Sequence, residues 1–354
     1  MLIVRSPLRI SLAGGGTDLP VYYRKYGGAV INTSIDRYFY VFLRTMNTND
    51  LEIASADFSS FFRQEEGYPL DWRGDLELPR AIFHHFGITH GVNLFLACEI
   101  PPGTGLGSSS SVAVGLIKSL STACGLHFSR SEIAELASFI EIDKLGSPIG
   151  KQDQFAAAFG GLNLIEFETE DTRVTPLNLS LEKRRILEKS LLLFYTGQSR
   201  NANDILSQQK EASKKKKGAT LKALHRVKEM VPYAHKCLES GDMKAFGHLL
   251  HENWREKRHF AKGVSNSLID DCYEAATNAG AWGGKITGAG GGGFFLLCCD
   301  DACQAQVTRE LEGRGLIRVN FHLEDLGARA IMNSGLRLPT LVDWKSSQDL
   351  VAAI

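Results

Sequence analysis

The sequence predicts an α+β fold, and three observations carry that prediction. Strand-like alternation and helix-like spacing are both present, without a regular strand–helix–strand rhythm. No segment repeats and no long linker interrupts the chain. The 354 residues are enough for two domains with respectable cores.

The first 50 residues read as strands, "LIVRSPLRISLA", "AVINTSI" and "YFYVFLRTM", with a turn at 47–50. A polar stretch leads to a helix expected at 78–86, and "GVNLFLACEI" is the next strand. From Ser109 to about Cys124, apolar Val112, Leu116, Ile117 and Leu120 recur on one helical stripe, and Gly125 stops it. Ser129 and Glu132 form a capping-box pattern for a helix expected to run to about Lys144. "GSPIGKQDQFAAAFGG" is a loop re-entering a short helix, and "GLNLIEFE" and "SLLLFYTG" are strands. Residues 201–260 are polar and helical, and the lysine run at 214–217 reads as a solvated helix end. "SLIDDCYEAATNAGA" is a helix, "GGKITGAGGGGFFLLCC" a loop and strand, "QAQVTRELEGRG" a helix, and "IRVNFHLEDLGARAI" a closing strand.

Lysine plus arginine total 40, as do aspartate plus glutamate, so formal net charge is zero. Nucleic acid and anionic membrane surfaces call for a basic excess, so neither is expected as the main partner. No apolar run approaches bilayer length, and the start lacks a signal-peptide pattern, so a cytoplasmic protein is expected. The seven cysteines include no Cys-x-x-Cys pair and read as free thiols. His84, His85, His248, His251 and His259 show no metal-ligand spacing.

Chemistry enters with glycine clusters at 14–16, 103–107 and 288–293. A glycine loop feeding a helix start is an anion cradle, because backbone N–H groups can approach the ligand. A helix dipole contributes only about 0.3–1 kcal/mol, whereas micromolar binding needs roughly 8 kcal/mol. Such a site therefore needs many donors, base packing and a metal. The cluster at 288–293 satisfies G-x-G-x-x-G but runs into a strand, which excludes a dinucleotide fingerprint. "GSPIGKQ" and "AWGGKI" both miss the Walker A pattern. The remaining parts of a phosphoryl-transfer site are Ser109 and Glu141 as Mg²⁺ ligands, Asp153 as proton acceptor, and Arg9 and Lys151 as stabilising cations. Taken singly, each of these side chains suits a solvated surface; their convergence with the loops is the expectation.

"SPLRISLAGGGTD", "PPGTGLGSSSSVAV" and "GGKITGAGGGGFFLL" resemble, in order and spacing, the three motifs of the GHMP kinases. The resemblance spans nearly the whole chain. It implies an N-terminal part (1–190) like ribosomal protein S5 domain 2 and a C-terminal ferredoxin-like part (191–354), with the active site between them. It implies ATP on Pro101, Gly103, Thr104, Gly105, Leu106, Gly107, Ser108, Ser109, Ser110, Gly288 and Gly290, with Mg²⁺ on Ser109 and Glu141. It puts the base on Asp153 beside Arg9, because "GKQDQF" is similar to the "GIMDQF" of galactokinases. Gly15, Gly16, Thr17 and Asp18 are expected at the sugar, and Lys151 and Arg200 at a phosphate already on it.

"LAGGGTD" departs from the galactokinase "GEHTDY". "TGQSRNAND" and "HENWREKRH", together with the first motif, look most like the D-glycero-D-manno-heptose 7-phosphate kinases. These phosphorylate the anomeric oxygen of a seven-carbon sugar phosphate. Fucokinase-type domains, with "AGGWTD", are the nearest alternative. A sugar sensor without catalysis is the alternative of another class, and a decarboxylase is disfavoured. A monomer or a homodimer is expected.

Overall fold

The structure is a computed structural model describing residues 1–57, 59–65, 70–197, 202–214 and 218–339. Its strands are β1 (Leu2–Ala13), β2 (Gly28–Thr45), β3 (Leu51–Ser55), β4 (Ser60–Gln64), β5 (Val92–Cys98), β6 (Leu162–Phe167), β7 (Thr172–Pro176), β8 (Leu191–Tyr195), β9 (Ala281–Ile286), β10 (Phe294–Cys299), β11 (Ile317–Arg318) and β12 (Arg329–Asn333). Its helices are α1 (Pro20–Tyr26), α2 (Glu77–His85), α3 (Ser108–Ala123), α4 (Arg130–Ser138), α5 (Gln152–Phe159), α6 (Leu181–Ser190), α7 (Ala202–Ser213), α8 (Ala219–Glu229), α9 (Val231–Ser240), α10 (Met243–Lys257), α11 (Ser267–Asn278) and α12 (Asp301–Glu312).

Two sheets organise these elements, and the class is α+β. The larger has the order β12-β1-β2-β5-β3-β4, with β6 on β2 and β7 on β6; the smaller runs β11-β8-β10-β9. The long strands β1 and β2 serve two cores along their length, on either side of the register shift between Pro7 and Leu8. Leu2, Val4, Val41 and Leu43 pack with α3, α4 and α5, whereas Leu8, Ile10, Leu12 and Ile31 face the second sheet.

The apolar run "FFLLCC" of β10 is buried on both faces. Phe295, Leu297 and Cys299 join the core formed with α10, α11 and α12, while Phe294, Leu296 and Cys298 join Leu8 and Ile10 in the core between the sheets. Two-sided burial explains why this strand is continuously apolar rather than alternating. Each fully buried Leu or Phe here stabilises the fold by roughly 1.5–3 kcal/mol.

Four expectations need correction. "AVINTSI" and "YFYVFLRTM" are one strand, β2; its register against β1 shifts between Pro7 and Leu8, which pair Tyr38 and Ile35. The residues between them, Asp36 and Arg37, form an irregularity typical of a bulge. The expected closing strand is two strands on different sheets: β11 pairs β8, and β12 returns to the edge of β1. The crossing between them is pinned by Asp36, whose N–H donates to His322 O at 2.9 Å and whose Oδ1 accepts from His322 N at 2.7 Å. The glycines at 283–284 lie in strand β9, not in a loop, because α10 packs against bare backbone there. A Cβ on Gly283 would sit 2.1 Å from the Gly247 carbonyl oxygen. Finally, the helix opened by Ser129 keeps α geometry only to Ser138; Phe139–Lys144 is a π-helical turn.

All seven cysteines are free thiols. No described helix is long and apolar enough to cross a membrane.

Candidate active site

The three glycine clusters, far apart in sequence, meet at one cavity of about 310 Å³. The middle loop packs on the third, where a Cβ on Gly105 would lie 2.8 Å from Thr287 O. Helix α3 opens at this contact. Its N-cap is Gly107 at φ 78°, and no side chain caps it. The first N–H groups of an uncapped helix end are free to bind an anion in the cavity.

Asp153 sits beside that helix end, in the first turn of α5. A Cβ on Gly107 would be 3.3 Å from its Oδ2. Arg9, on β1 and 4% exposed, grips the carboxylate with Nε to Oδ1 at 2.7 Å and Nη2 to Oδ2 at 2.6 Å. Its Nη1 donates to Gly105 O at 2.7 Å. One guanidinium therefore ties the candidate base to the glycine loop. A planar fork suits this task and an ammonium does not.

Glu141 projects from the π turn, a distortion often found at functional sites. It is buried, accepting from Ser109 Oγ at 3.0 Å and from Gln154 Nε2 at 2.6 Å. Burial first, then the charge of Asp153, pushes its carboxyl up to about 7, against the opposing hydrogen bonds of Gln154, Ser110 and Ser109. A desolvated carboxylate next to a hydroxyl is a hard-oxygen pair that a divalent cation would relieve. Two protein oxygens suffice for Mg²⁺ when phosphate oxygens and waters complete the shell. The donor set therefore fits the metal that the sequence led us to expect. Among the described residues no cluster of three or more His, Cys, Asp or Glu offers a competing metal site.

Asp18 marks the other end. Its Oδ1 accepts from Gly16 N at 3.0 Å and its Oδ2 from Gln152 N at 3.2 Å. Burial first, then the charge of Asp153, raises its carboxyl to about 6. Gly15 and Gly16 line the cavity with it. Ser11 Oγ and Gln152 Oε1 are buried there without partners, an arrangement that suits sugar hydroxyls.

Not every expected residue reaches the cavity. Thr17 is fully buried, bonded to Gly14 O at 2.8 Å and Ala29 O at 2.9 Å, so it holds the turn and cannot touch a ligand. Lys151 turns away to Glu135, with Nζ 2.7 Å from Oε2. Thr104 supports the loop from behind, donating to Pro101 O at 2.8 Å and accepting from Phe294 N at 3.2 Å. Leu106 is buried between the sheets, and Gly290 packs against Val264; neither these nor Pro101 line the cavity. Arg200 and lysines 215–217 lie outside the described residues, and Lys214 pairs with Glu211.

Sequence reasoning missed part of the opposite wall, to which α7, α10 and β9 contribute Gln209, Asn253 and Lys285. Asn253 precedes Lys257 by one helical turn in "HENWREKRH", the only local signal for it. Lys257 donates to Ile286 O at 2.7 Å and Gly288 O at 2.6 Å. Burial, then nearby Arg9, lowers its ammonium to about 7. Trp254 is core, buried with Phe295 and Ile286.

Beyond the glycine loop, and sharing Gly103, Ser108 and Ser109 with the first cavity, lies a second of about 450 Å³. Phe39, Leu76, Leu78, Leu96 and Val112 make it apolar, and Asp57 Oδ2 is buried there without a partner.

A phosphate cradle, an acid held by arginine and a hard-oxygen pair together define the site of a phosphotransferase. Residues 77–161 match the family described as GHMP kinases N terminal domain, and 234–315 match GHMP kinases C terminal. The D-glycero-alpha-D-manno-heptose 7-phosphate kinase of Campylobacter jejuni is 34% identical over 294 residues, covering 81% of this chain and 86% of that protein. The chain also matches the L-fucokinase/L-fucose-1-P guanylyltransferase of Bacteroides fragilis at 25% identity, over 81% of its own length but only 33% of that larger protein. Among solved structures, a D-glycero-D-manno-heptose 1-phosphate kinase from Bacteroides thetaiotaomicron superposes with TM-score 0.76 at 26% identity, covering 95% of this chain and 100% of that one. The chain belongs to the GHMP kinase family. Within it, the chain is a sugar kinase, a phosphotransferase.

Proposed function

We propose that the protein transfers the γ-phosphoryl group of ATP to the anomeric C1 hydroxyl of D-glycero-D-manno-heptose 7-phosphate. The product is the 1,7-bisphosphate, for GDP-heptose and surface polysaccharide synthesis in the cytoplasm. The observation that carries the reading is the fork of Arg9 on Asp153, which holds a carboxylate against the uncapped start of α3. The likeness to the heptose kinases supports the choice of sugar.

The adenine suits the apolar second cavity, with Asp57 able to accept from an exocyclic amine. The phosphates then follow the loop 103–110 toward Asp153. The C1 oxygen attacks the γ-phosphorus as its proton passes to Asp153 Oδ2, and the bond to the leaving ADP oxygen breaks. Loop amides and the α3 start take up charge on the phosphoryl oxygens. Ser109 and Glu141 would hold Mg²⁺, which when bound neutralises phosphate charge. Arg9 fixes the orientation of Asp153, and Asp18 accepts from acceptor hydroxyls. Positioning and electrostatics supply most of the acceleration, the base adding typically about 10²–10⁴-fold.

ATP turnover against heptose 7-phosphate, free heptose, fucose, galactose and mannose, with the position of transfer read by phosphorus NMR, tests the reading. It requires transfer to C1 and the highest kcat/KM for heptose 7-phosphate. Transfer elsewhere, or a preference for fucose or galactose, refutes it.

A further inference from the structure

One face of the larger sheet breaks the pattern that solvent demands. Helices α3, α4 and α5 cover the other face, over Leu2, Val4, Val41 and Leu43. Side chains alternate along a strand, so the face turned away from those helices should be polar. Across its middle it is not. The pairing register sets Met332, Ile3, Phe42, Phe95, Ala54 and Phe61 side by side, one each from β12, β1, β2, β5, β3 and β4. Met332 is 46% exposed, Phe95 41% and Phe61 62%, while Ile3, Phe42 and Ala54 are half-buried. The Phe42 and Phe95 rings lie 5.7 Å apart between centroids, so they are held in place before anything binds. A lone exposed apolar residue is ordinary; an unbroken row across six strands marks a contact surface.

The borders of the row exclude a strongly charged partner. Arg63 Nη2 is 2.7 Å from Asp50 Oδ2, Glu52 Oε2 accepts from Asn93 Nδ2 at 2.9 Å, and Arg5 Nη2 is 3.8 Å from Glu324 Oε2. Cations and anions are thus matched within the protein, and no net field draws nucleic acid, an anionic membrane or a charged peptide. The chain's own end sets out from the wrong side. Leu336 and Leu338 pack into the α3 core, and Leu338 N donates to Ala123 O at 2.9 Å.

The row is, however, complementary to itself. A two-fold axis along the strands, between β2 and β5, sets Phe42 of one copy on Phe95 of the other. It also sets Ile3 on Ala54 and Met332 on Phe61. These are ring on ring, large on small and thioether on ring. In the neighbouring row Arg44 falls opposite Asn93, and the amino-terminal end of β1 opposite Glu52, so no like charges meet. Two equally twisted sheets pack in this way with strands within about 30° of each other. Five residues on each of six strands span roughly 17 by 29 Å. That is on the order of 500 Å² flat and more once side chains corrugate it, near the roughly 600–1,000 Å² each partner of a standard interface buries.

We propose that the protein is a homodimer joined through this face. The contact is isologous, so every residue of the row is used twice. Phe39 and Leu96, which line the second cavity, lie on the opposite face by strand alternation, and dimerisation does not fill that cavity. The inference is independent of which reaction the site performs.

Sedimentation velocity on the full chain tests it. The mass should double between about 1 and 100 µM, the weaker end of what such an area supports. Phe95→Glu and Phe61→Glu should each raise the dissociation constant by at least about 30-fold, the loss expected at an aromatic anchor. Neither should change ATP turnover per chain. Tyr233→Glu, at an equally exposed ring on α9, should leave the dimer intact. Phe61→Glu, on edge strand β4, keeps the test decisive if Phe95→Glu does not fold. Copies carrying Phe61→Cys and copies carrying Met332→Cys, mixed and oxidised with copper phenanthroline, should cross-link to each other more than to themselves.

A parent that stays monomeric to 100 µM overturns the proposal, as does a dimer indifferent to both glutamate substitutions. So does cross-linking of Phe61→Cys copies to themselves in preference to Met332→Cys copies. Faster proteolysis of the carboxy-terminal tail in Phe95→Glu, with the parent monomeric, would give the face to the tail and overturn it as well.

Discussion

Asp153→Asn separates chemistry from architecture. The amide keeps an oxygen for one arm of the Arg9 fork, now at 2.7 and 2.6 Å, but turns a donor toward the other. Losing one hydrogen bond to a charged group costs about 1.5–3 kcal/mol of stability. Arg9 retains its bond to Gly105 O, so the glycine loop should stay in place. The proton acceptor, however, is gone. Turnover should fall about 10²–10⁴-fold, which is roughly 3–5 kcal/mol of barrier. Single-turnover ADP release at saturating acceptor reads this step directly. Calorimetric affinity for a non-hydrolysable ATP analogue should change by less than about threefold, and a thermal melt should reveal only the modest stability loss. A variant that keeps turnover within about threefold of the parent would remove Asp153 from the role of base. Loss of analogue binding in parallel with turnover would show that the residue holds the loop instead.

Other consequences can be checked on the same protein. Gly107→Ala places a side chain at φ 78°, with its Cβ 3.3 Å from Asp153 Oδ2. The left-handed backbone alone costs roughly 1–2 kcal/mol, and both analogue affinity and turnover should drop. Glu141→Gln should raise the Mg²⁺ concentration for half-maximal turnover by about tenfold or more, read by metal titration, with acceptor KM little changed. Asp18 titrates near 6 in the fold against 3.8 outside it, so the folded state binds its proton more tightly. Its stabilising contribution is present below about pH 4 and is lost as pH rises through about 6. The stability difference between the parent and Asp18→Asn should therefore move in favour of the variant over that window, measured by urea midpoints.

Much of this architecture is written locally. The loops at 103–107 and 288–293 announce themselves by composition, and "SPLRISLA" carries both the strand period and Arg9. Asp153 and Glu141 could be singled out because phosphoryl transfer calls for a proton acceptor and a metal-holding carboxylate, and because "GKQDQF" resembles a known kinase motif. What could not be read depends on contacts between distant segments. Strand β12 is set by pairing with β1 across more than 300 residues, and no local pattern encodes that partner. Gln209 sits on a helix that reads as polar, and it is buried where that helix meets the Gly16 turn. Thr17 and Lys151 show the converse. Their types suit a sugar kinase, but the Ala29 carbonyl and the Glu135 carboxylate claim them first. The π turn under Glu141 follows a normal helical period in sequence, so the displacement that sends this carboxylate inward leaves no trace there.

The double-sided burial of β10 has a bearing on how the polypeptide is made. Phe294, Leu296 and Cys298 share their core with Leu8, Ile10 and Leu12, residues synthesised far earlier, as well as with Phe246 and Leu250 of their own half. Severed from the amino-terminal half, the carboxy-terminal half would carry a greasy flank into water and should clump. Supplied as two fragments in one cell, the halves should find each other and restore a soluble pair.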